Sequence, residues 1–378
     1  MSINNIKRGV VRMKTLLLGD ICSTYATEPL YKSKDIDTLF TDTVTLFDGI
    51  DFSFVNLETA VCDEDESPIK KFGPSIKSPY ELVEVIKTLG VNCCGLSNNH
   101  FFDYGISGAE KSIHALDKAG IIYTGFGENY FESRKNLVIE KDGEKVCIIA
   151  VCEHEYSYAL EDRMGSRPFD EYDTIEDIRN AKKENDCVIV LYHGGKEYCK
   201  YPSPRLHKLC HAMAKNGADI ILCQHSHCIG TYEFFCNCHI LYGQGNFHFV
   251  KPVQEEIKEG WNSSFAVQYD TISKDIELVP LSIYDDSKGI SLAKGREKEK
   301  ILSDFYERNK KILSGEWKKE WHTFCEEKKE QYFEIIKKAC TDNSTQFDND
   351  FFAHYLDCEA HTDVWRELFP SYNLTNEK

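Results

Sequence analysis

From Lys14 to about Asp285 the chain alternates short β-branched or apolar runs with amphipathic stretches of helical period, the signature of an α/β fold. Lys14–Asp20 (KTLLLGD), Phe52–Glu58 (FSFVNLE), Asn92–Leu96 (NCCGL) and Ile121–Thr124 (IIYT) are predicted strands. Their apolar runs are continuous rather than alternating, which predicts burial on both faces. Leu137–Glu140 and Lys145–Cys152 flank Asp142-Gly143, a dipeptide that favours positive φ twice and so predicts a type I′ hairpin. Further strands are predicted at Cys187–Tyr192, Asp219–Cys223, His239–Tyr242, Ser264–Asp270 and Ile276–Ile283. Between them Ser78–Leu89, Ser107–Ala119, Asp173–Glu184 and Pro204–Asn216 carry apolar residues at i, i+3, i+4 and i+7. These are predicted covering helices, several closed by Gly90, Gly120 or Gly217. From about residue 290 the pattern turns charged and aromatic, as in Glu316–Lys337, and predicts helices that pack through Trp, Phe and Tyr. The expected organisation is an N-terminal extension over 1–13, an α/β domain over 14–289 and a helical region over 290–378.

Composition narrows the function classes. A net charge of −17 over 378 residues repels phosphate backbones and anionic lipid, which argues against nucleic-acid binding. No run approaches the ~20 apolar residues of a membrane span, and Thr15–Leu18 is too short for the core of a signal peptide, so a cytoplasmic protein is expected. The 16 cysteines are scattered through apolar runs such as Val146-Cys147-Ile148, which predicts reduced thiols acting as small core residues. Cys236-x-Cys238 and Cys93-Cys94 lack the paired C-x₂-C spacing of a structural zinc site.

Polar residues able to bind metal recur just after the apolar strands, where ligands bind in open α/β sheets. Leu16–Leu18 runs into Gly19-Asp20, Phe54-Val55 into Asn56-Leu57-Glu58, and Cys94–Leu96 into Ser97-Asn98-Asn99-His100. Val190–Tyr192 runs into His193-Gly194-Gly195-x-Glu197, Ile221–Cys223 into Gln224-His225-Ser226-His227, and Leu241-Tyr242 into Gly243-Gln244-Gly245-Asn246. A set of carboxylate, amide and imidazole donors suits one or two hard or borderline divalent ions such as Mn²⁺, Zn²⁺ or Fe²⁺. Asn56, Asn98 and Asn246 are candidate substrate contacts, although Gly245-Asn246 is equally good turn chemistry. Glu197 either orients His193 or faces solvent, and Asp103-Tyr104-Gly105 is expected to close the loop after His100 and cap the next helix. Arg163, Arg167 and Lys196 read as solvated charges rather than anion contacts.

This series, with Asp103-x-Gly105, His193-Gly194-Gly195-x-Glu197, His225-x-His227 and Tyr242-x-x-Gly245-Asn246-Phe247, resembles the CapA family. These are bacterial capsule, or poly-γ-glutamate, biosynthesis proteins related to the calcineurin-like metallophosphoesterases. The resemblance covers about residues 14 to 285 and implies a four-layer α/β/β/α sandwich with the site at one edge. It further implies that Asp20 and His227 hold one metal, that Asn99, His193 and His225 hold another, and that Glu58 bridges. His100 is then the acid beside the leaving group, with Asn99 and Glu197 completing the catalytic set. One position departs from the wider phosphoesterase pattern: Asp20-Ile21-Cys22 stands where Asp-x-His is usual, so Cys22 is either a thiolate ligand or an apolar residue beneath the loop. The implied activity is metal-dependent hydrolysis of a phosphoester or another anionic cell-surface polymer precursor. The alternative is a non-catalytic accessory or polymer-binding role in capsule or poly-γ-glutamate synthesis. Specificity is expected to reside in the loops Cys62–Lys77 and Glu153–Asp170.

Overall fold

The computed structural model describes residues 13–251, 259–284 and 288–370, so the expected N-terminal extension lies almost wholly outside the described residues. Four parallel strands open the fold: β1 (Lys14–Ile21), β2 (Phe52–Leu57), β3 (Cys93–Gly95) and β4 (Ile122–Thr124). A second, six-stranded sheet follows, built from β5 (Leu137–Lys141), β6 (Glu144–Cys152), β7 (Cys187–His193), β8 (Ile220–Gln224), β9 (Tyr232–Phe235) and β10 (Cys238–Leu241). Its order is β9-β10-β8-β7-β6-β5, parallel inside with an antiparallel strand at each edge. The chain then returns to the first sheet through β11 (Asn246–His248), which joins β1 in parallel. Antiparallel β12 (Ser263–Asp270), β13 (Ile276–Ser282) and β14 (Ser291–Leu292) complete eight strands.

The continuous apolar runs are explained by burial on both faces. Leu17 of β1 and Ile189 and Leu191 of β7 point into a core shared by the two sheets, with Phe54, Ile148, Leu222 and Val267. Their neighbours Leu16 and Leu18 face helices α1 (Glu81–Leu89) and α2 (Gly105–Ala119), through Leu82, Ile86 and Leu116. Val188 and Val190 face α3 (Glu171–Glu184) and α4 (Pro204–Lys215), through Ile178, Leu209 and Met213. The result is the four-layer α/β/β/α sandwich. Asp142 and Gly143 adopt φ of 53° and 90°, the two positive values a type I′ turn requires.

Helix starts depart from the sequence expectation by a few residues. Helix α1 begins at Glu81 because Ser78 is committed to a short strand opposite Val61. Helix α3 begins at Glu171, where Asp170 accepts from the N–H groups of Tyr172 and Asp173. Helix α2 starts at Gly105 with no side-chain cap, so Asp103 does not cap it. Arg167 is a second correction: rather than a solvated charge it is buried, donating to Asp177 Oδ2 at 2.6 Å and Asn136 Oδ1 at 2.8 Å. Arg163 likewise braces its own loop, donating to the Tyr158 carbonyl at 2.5 Å.

Four helices close the chain: α5 (Gly295–Ser314), α6 (Trp317–Ala339), α7 (Gln346–Asp357) and α8 (Glu359–Leu368). Ile301 and Phe305 of α5 join the core between the sheets, so the α/β core extends beyond residue 289. The last three helices share a small core of their own around Trp321, Tyr332, Tyr355 and Val364. Among the described residues no helix is long and apolar enough to cross a membrane.

All sixteen cysteines are free thiols, and all but Cys236 and Cys340 are buried. Thiol titration of denatured, unreduced protein is therefore expected to find close to sixteen reactive groups, and two or more missing pairs would contradict the assignment.

Candidate metal centre

Strand ends deliver the polar side chains to one edge of the sandwich. Gly19 in β1 packs so closely on Gly245 that a Cβ there would lie 2.0 Å from the Gly245 carbonyl oxygen. That approach sets Asp20 opposite Asn246 in register. Asn56, the last residue but one of β2, sits beside Asp20, and Glu58 follows the strand's end at Leu57. His193 is the last residue of β7, and His225 and His227 leave β8 with φ of 75° and 54°. Such left-handed backbone is uncommon for residues other than glycine and carries a conformational cost.

The side chains converge on Glu58, which is fully buried. His193 Nε2 lies 3.4 Å and His227 Nε2 3.9 Å from Glu58 Oε1. His193 Nδ1 and His227 Nδ1 lie 3.8 and 3.7 Å from opposite oxygens of Asp20. Asn99 Oδ1 sits 2.9 Å from His193 Nε2. Two donor groups result, Asp20 with Glu58 and His227, and Glu58 with His193 and His225, each with its donor atoms within 4.8 Å of one another. Glu58 belongs to both, the position of a bridging ligand.

The electrostatics fit a cation. Both Glu58 oxygens and His225 Nδ1 are buried without a hydrogen-bond partner, an arrangement costly in protein alone and relieved by a metal ion. Burial, with Asp20 adding to it, holds the Glu58 carboxyl well above the usual carboxylate range. Burial also pulls His193 down to about 4 and His225 well below its ordinary value, which favours the neutral imidazole, the form that ligates metal.

Residues 14–251 match the family described as bacterial capsule synthesis protein PGA_cap. The chain belongs to that family. The capsule biosynthesis protein CapA of Bacillus anthracis is 30% identical over 291 residues, covering 73% of this chain and 69% of its own. The PGA biosynthesis protein CapA of Bacillus subtilis strain 168 is 26% identical over 277 residues, 71% of each chain. Among solved structures, a novel phosphatase from Mycoplasma pneumoniae superposes with a TM-score of 0.45 at 14% identity, over 71% of this chain and 93% of that one. An overlap that loose says nothing about chemistry.

In this PGA_cap member the predicted substrate contacts Asn56, Asn98 and Asn246 each hold other residues of the site or its loops in place. Asn56 Nδ2 donates to Asp20 Oδ1 at 2.7 Å and lies 3.1 Å from His193 Nδ1. Asn98 Nδ2 donates to the Leu57 carbonyl at 2.9 Å, while its Oδ1 accepts from the backbone N–H groups of His100 and Phe101. Asn246 Oδ1 meets His227 Nδ1 at 2.8 Å. All three are buried, and the amides of Asn56 and Asn98 spend their hydrogen bonds inside the protein, whereas Asn246 Nδ2 has no partner among the described residues. Supporting residues of this kind fix ring orientation, so Asn246→Ala is expected to weaken metal binding ~10–100-fold while the fold persists, measured by metal titration.

Glu197 does not orient His193. The turn at Gly195 (φ 92°) carries the chain to the β8 loop, where the Tyr198 N–H donates to the Ser226 carbonyl at 2.8 Å. Glu197 therefore groups with His225 and His227. Cys22 is no ligand in this arrangement: it is buried with Phe249 and Trp261, its Sγ donates to the Ser23 carbonyl, and burial pushes its thiol well up.

The role of one residue and the presence of another escaped the sequence reading. Asp103 Oδ2 holds His100 Nδ1 at 2.7 Å, a pairing visible in hindsight from the i, i+3 spacing. Lys71, its ammonium buried, ion-pairs with Asp103 and donates to the Asn99 carbonyl at 3.3 Å. A cavity of about 420 Å³ adjoins the centre, lined by His100, Glu197 and His227, by Lys77 and Lys251, and by aromatic residues including Trp261. The Trp261 ring lies 4.5 Å from that of His227, and the Lys251 ammonium lies over the Trp261 ring, 4.3 Å from its centroid.

Proposed function

We propose that this chain is a metal-dependent hydrolase of the phosphoesterase type, acting in the cytoplasm on a phosphoester or another anionic precursor of a cell-surface polymer. The observation that carries the reading is Glu58, a fully buried carboxyl group with no hydrogen-bond partner, shared by two donor groups, one of which includes His227 of the cavity wall. Asp20, Glu58 and His227 would hold one divalent ion, and Glu58, His193, His225 and Asn99 a second. Two such ions lower the pKa of bound water to about 7 and neutralise phosphoryl charge. An acidic protein needs that local positive charge to receive an anion, and Lys77 and Lys251 add to it at the cavity wall.

The chain's own residues then divide the work. Asn56 fixes Asp20 and His193 together, and Asn246 fixes the His227 ring. Asp103 accepts a hydrogen bond from His100 Nδ1–H and leaves Nε2 to serve a leaving oxygen. Trp261, Phe249 and Tyr198 wall the cavity. Free, mostly buried thiols support the reducing compartment. The test is a panel of phosphoester substrates with added Mn²⁺, run on wild type and His225→Ala. Turnover in wild type that disappears with the metal in His225→Ala supports the proposal. Bound metal without turnover on any substrate overturns hydrolysis and leaves the accessory role in capsule synthesis.

A further inference from the structure

A second cluster of metal-binding side chains lies away from the strand ends and shares no residue with them. Helix α4 carries His207 and His211 one turn apart, so both rings project from one face, with centroids 4.1 Å apart. That face meets β9, the edge strand of the second sheet, where Glu233 points back at both rings. His211 Nε2 lies 2.8 Å and His207 Nε2 3.4 Å from Glu233 Oε1, and the three donor groups lie within 4.8 Å of one another.

We propose that His207, His211 and Glu233 form a second metal site, which takes one borderline divalent ion of the Zn²⁺ class and ties helix α4 to the sheet edge. Tetrahedral coordination with bonds of about 2.0–2.2 Å places ligand atoms roughly 3.4 Å apart, close to the separations found. Two imidazoles and one carboxylate favour zinc, nickel or copper over magnesium or calcium. The side chains retain 22%, 21% and 11% exposure, which leaves a coordination position facing water.

The surroundings hold the three groups in place. Tyr242 donates its hydroxyl to Glu233 Oε1 at 2.6 Å, the supporting contact that ligating carboxylates commonly have. His211 stacks on Phe235 with centroids 3.7 Å apart, and His207 stacks on Trp317 at 4.7 Å. Among the described residues Glu233 has no Lys or Arg within ion-pair distance, so apart from the Tyr242 hydroxyl only the two imidazoles face this mostly buried carboxylate. An edge strand needs pinning or covering, and a cation here would supply the first.

The experiment uses the full chain, stripped with chelator, re-equilibrated in buffered micromolar Zn²⁺ and analysed for bound metal by mass spectrometry. Wild type should bind one equivalent more than His211→Gln and one more than Glu233→Gln. Both variants should match wild type in far-UV circular dichroism and in melting with chelator present, which separates ligand loss from unfolding. Zn²⁺ should raise the melting temperature less in each variant than in wild type. Equal zinc stoichiometry in all three proteins, or loss in one variant but not the other, would overturn the site. The result is independent of any turnover at the strand-end centre.

Discussion

Glu58→Gln is expected to empty the strand-end centre and, in the presence of chelator, to melt at a higher temperature than wild type. Without metal, Glu58 sits at zero exposure beside Asp20, with neither oxygen hydrogen-bonded. Leaving a buried polar group unsatisfied costs about 1–3 kcal/mol, more when it is charged, and a second carboxylate nearby adds repulsion. A glutamine of the same shape removes the charge and can donate to Asp20, so the metal-free fold gains. With metal the order reverses. Glu58 is common to both donor groups, so its loss should cost more than the ~10–100-fold typical of a supporting residue. Ligand binding to the native state alone raises stability, and that increment should vanish in the variant. Paired melts with chelator and with excess Mn²⁺, beside metal analysis, measure both halves. Full metal occupancy in Glu58→Gln would sink the bridging assignment.

The fold was legible where local pattern decides it and illegible where distant segments do. Runs such as Leu16–Leu18 and Val188–Leu191 announced burial on both faces because nothing polar interrupts them. Asp142-Gly143 announced its turn because few other dipeptides tolerate two positive φ values. Strand β11 was hidden: three residues are too few to show a period, and Gly245-Asn246, which reads as turn chemistry, instead places Gly245 at φ 78° directly before Asn246 opens the strand.

At the candidate site the residue types were legible but their division of labour was not. An asparagine at a strand end can ligate, bind substrate or buttress, and which it does depends on what folds up beside it. Asn56 faces Asp20 and His193, which are 36 and 137 residues away along the chain. Lys71 lies in a loop without periodicity, and its partner Asp103 is 32 residues further on. The aromatic character of the C-terminal helices was visible, yet not their docking site. Phe72, next to Lys71, packs against Phe347 and Phe351 of α7, each 4.8 Å away between ring centroids. The helical region thus steadies the loop that carries Lys71 to the centre.

His100→Asn is expected to lower kcat by ~10²–10⁴ on whichever phosphoester proves to be turned over, with metal content unchanged. The His100 ring is held from behind, Nδ1 on Asp103, and Asp103 is itself held by Lys71 and by the Ile76 N–H at 2.7 Å. Burial, reinforced by the Lys71 ammonium, pulls His100 down to about 4 in spite of Asp103. The imidazole is therefore neutral until a negative charge enters the cavity it lines. An anionic substrate beside Nε2 supplies that charge and favours a second proton on the ring, which is the proton a departing alkoxide needs. Asn at this position can donate a hydrogen bond but cannot deliver a proton, so binding should persist while turnover falls. Asp103→Asn should cause a smaller fall in kcat, since it loosens the ring and strands Lys71 without removing the imidazole. Metal analysis and kinetics on the two variants decide the matter. Loss of metal in His100→Asn would make His100 a ligand and require the donor groups around Glu58 to be redrawn.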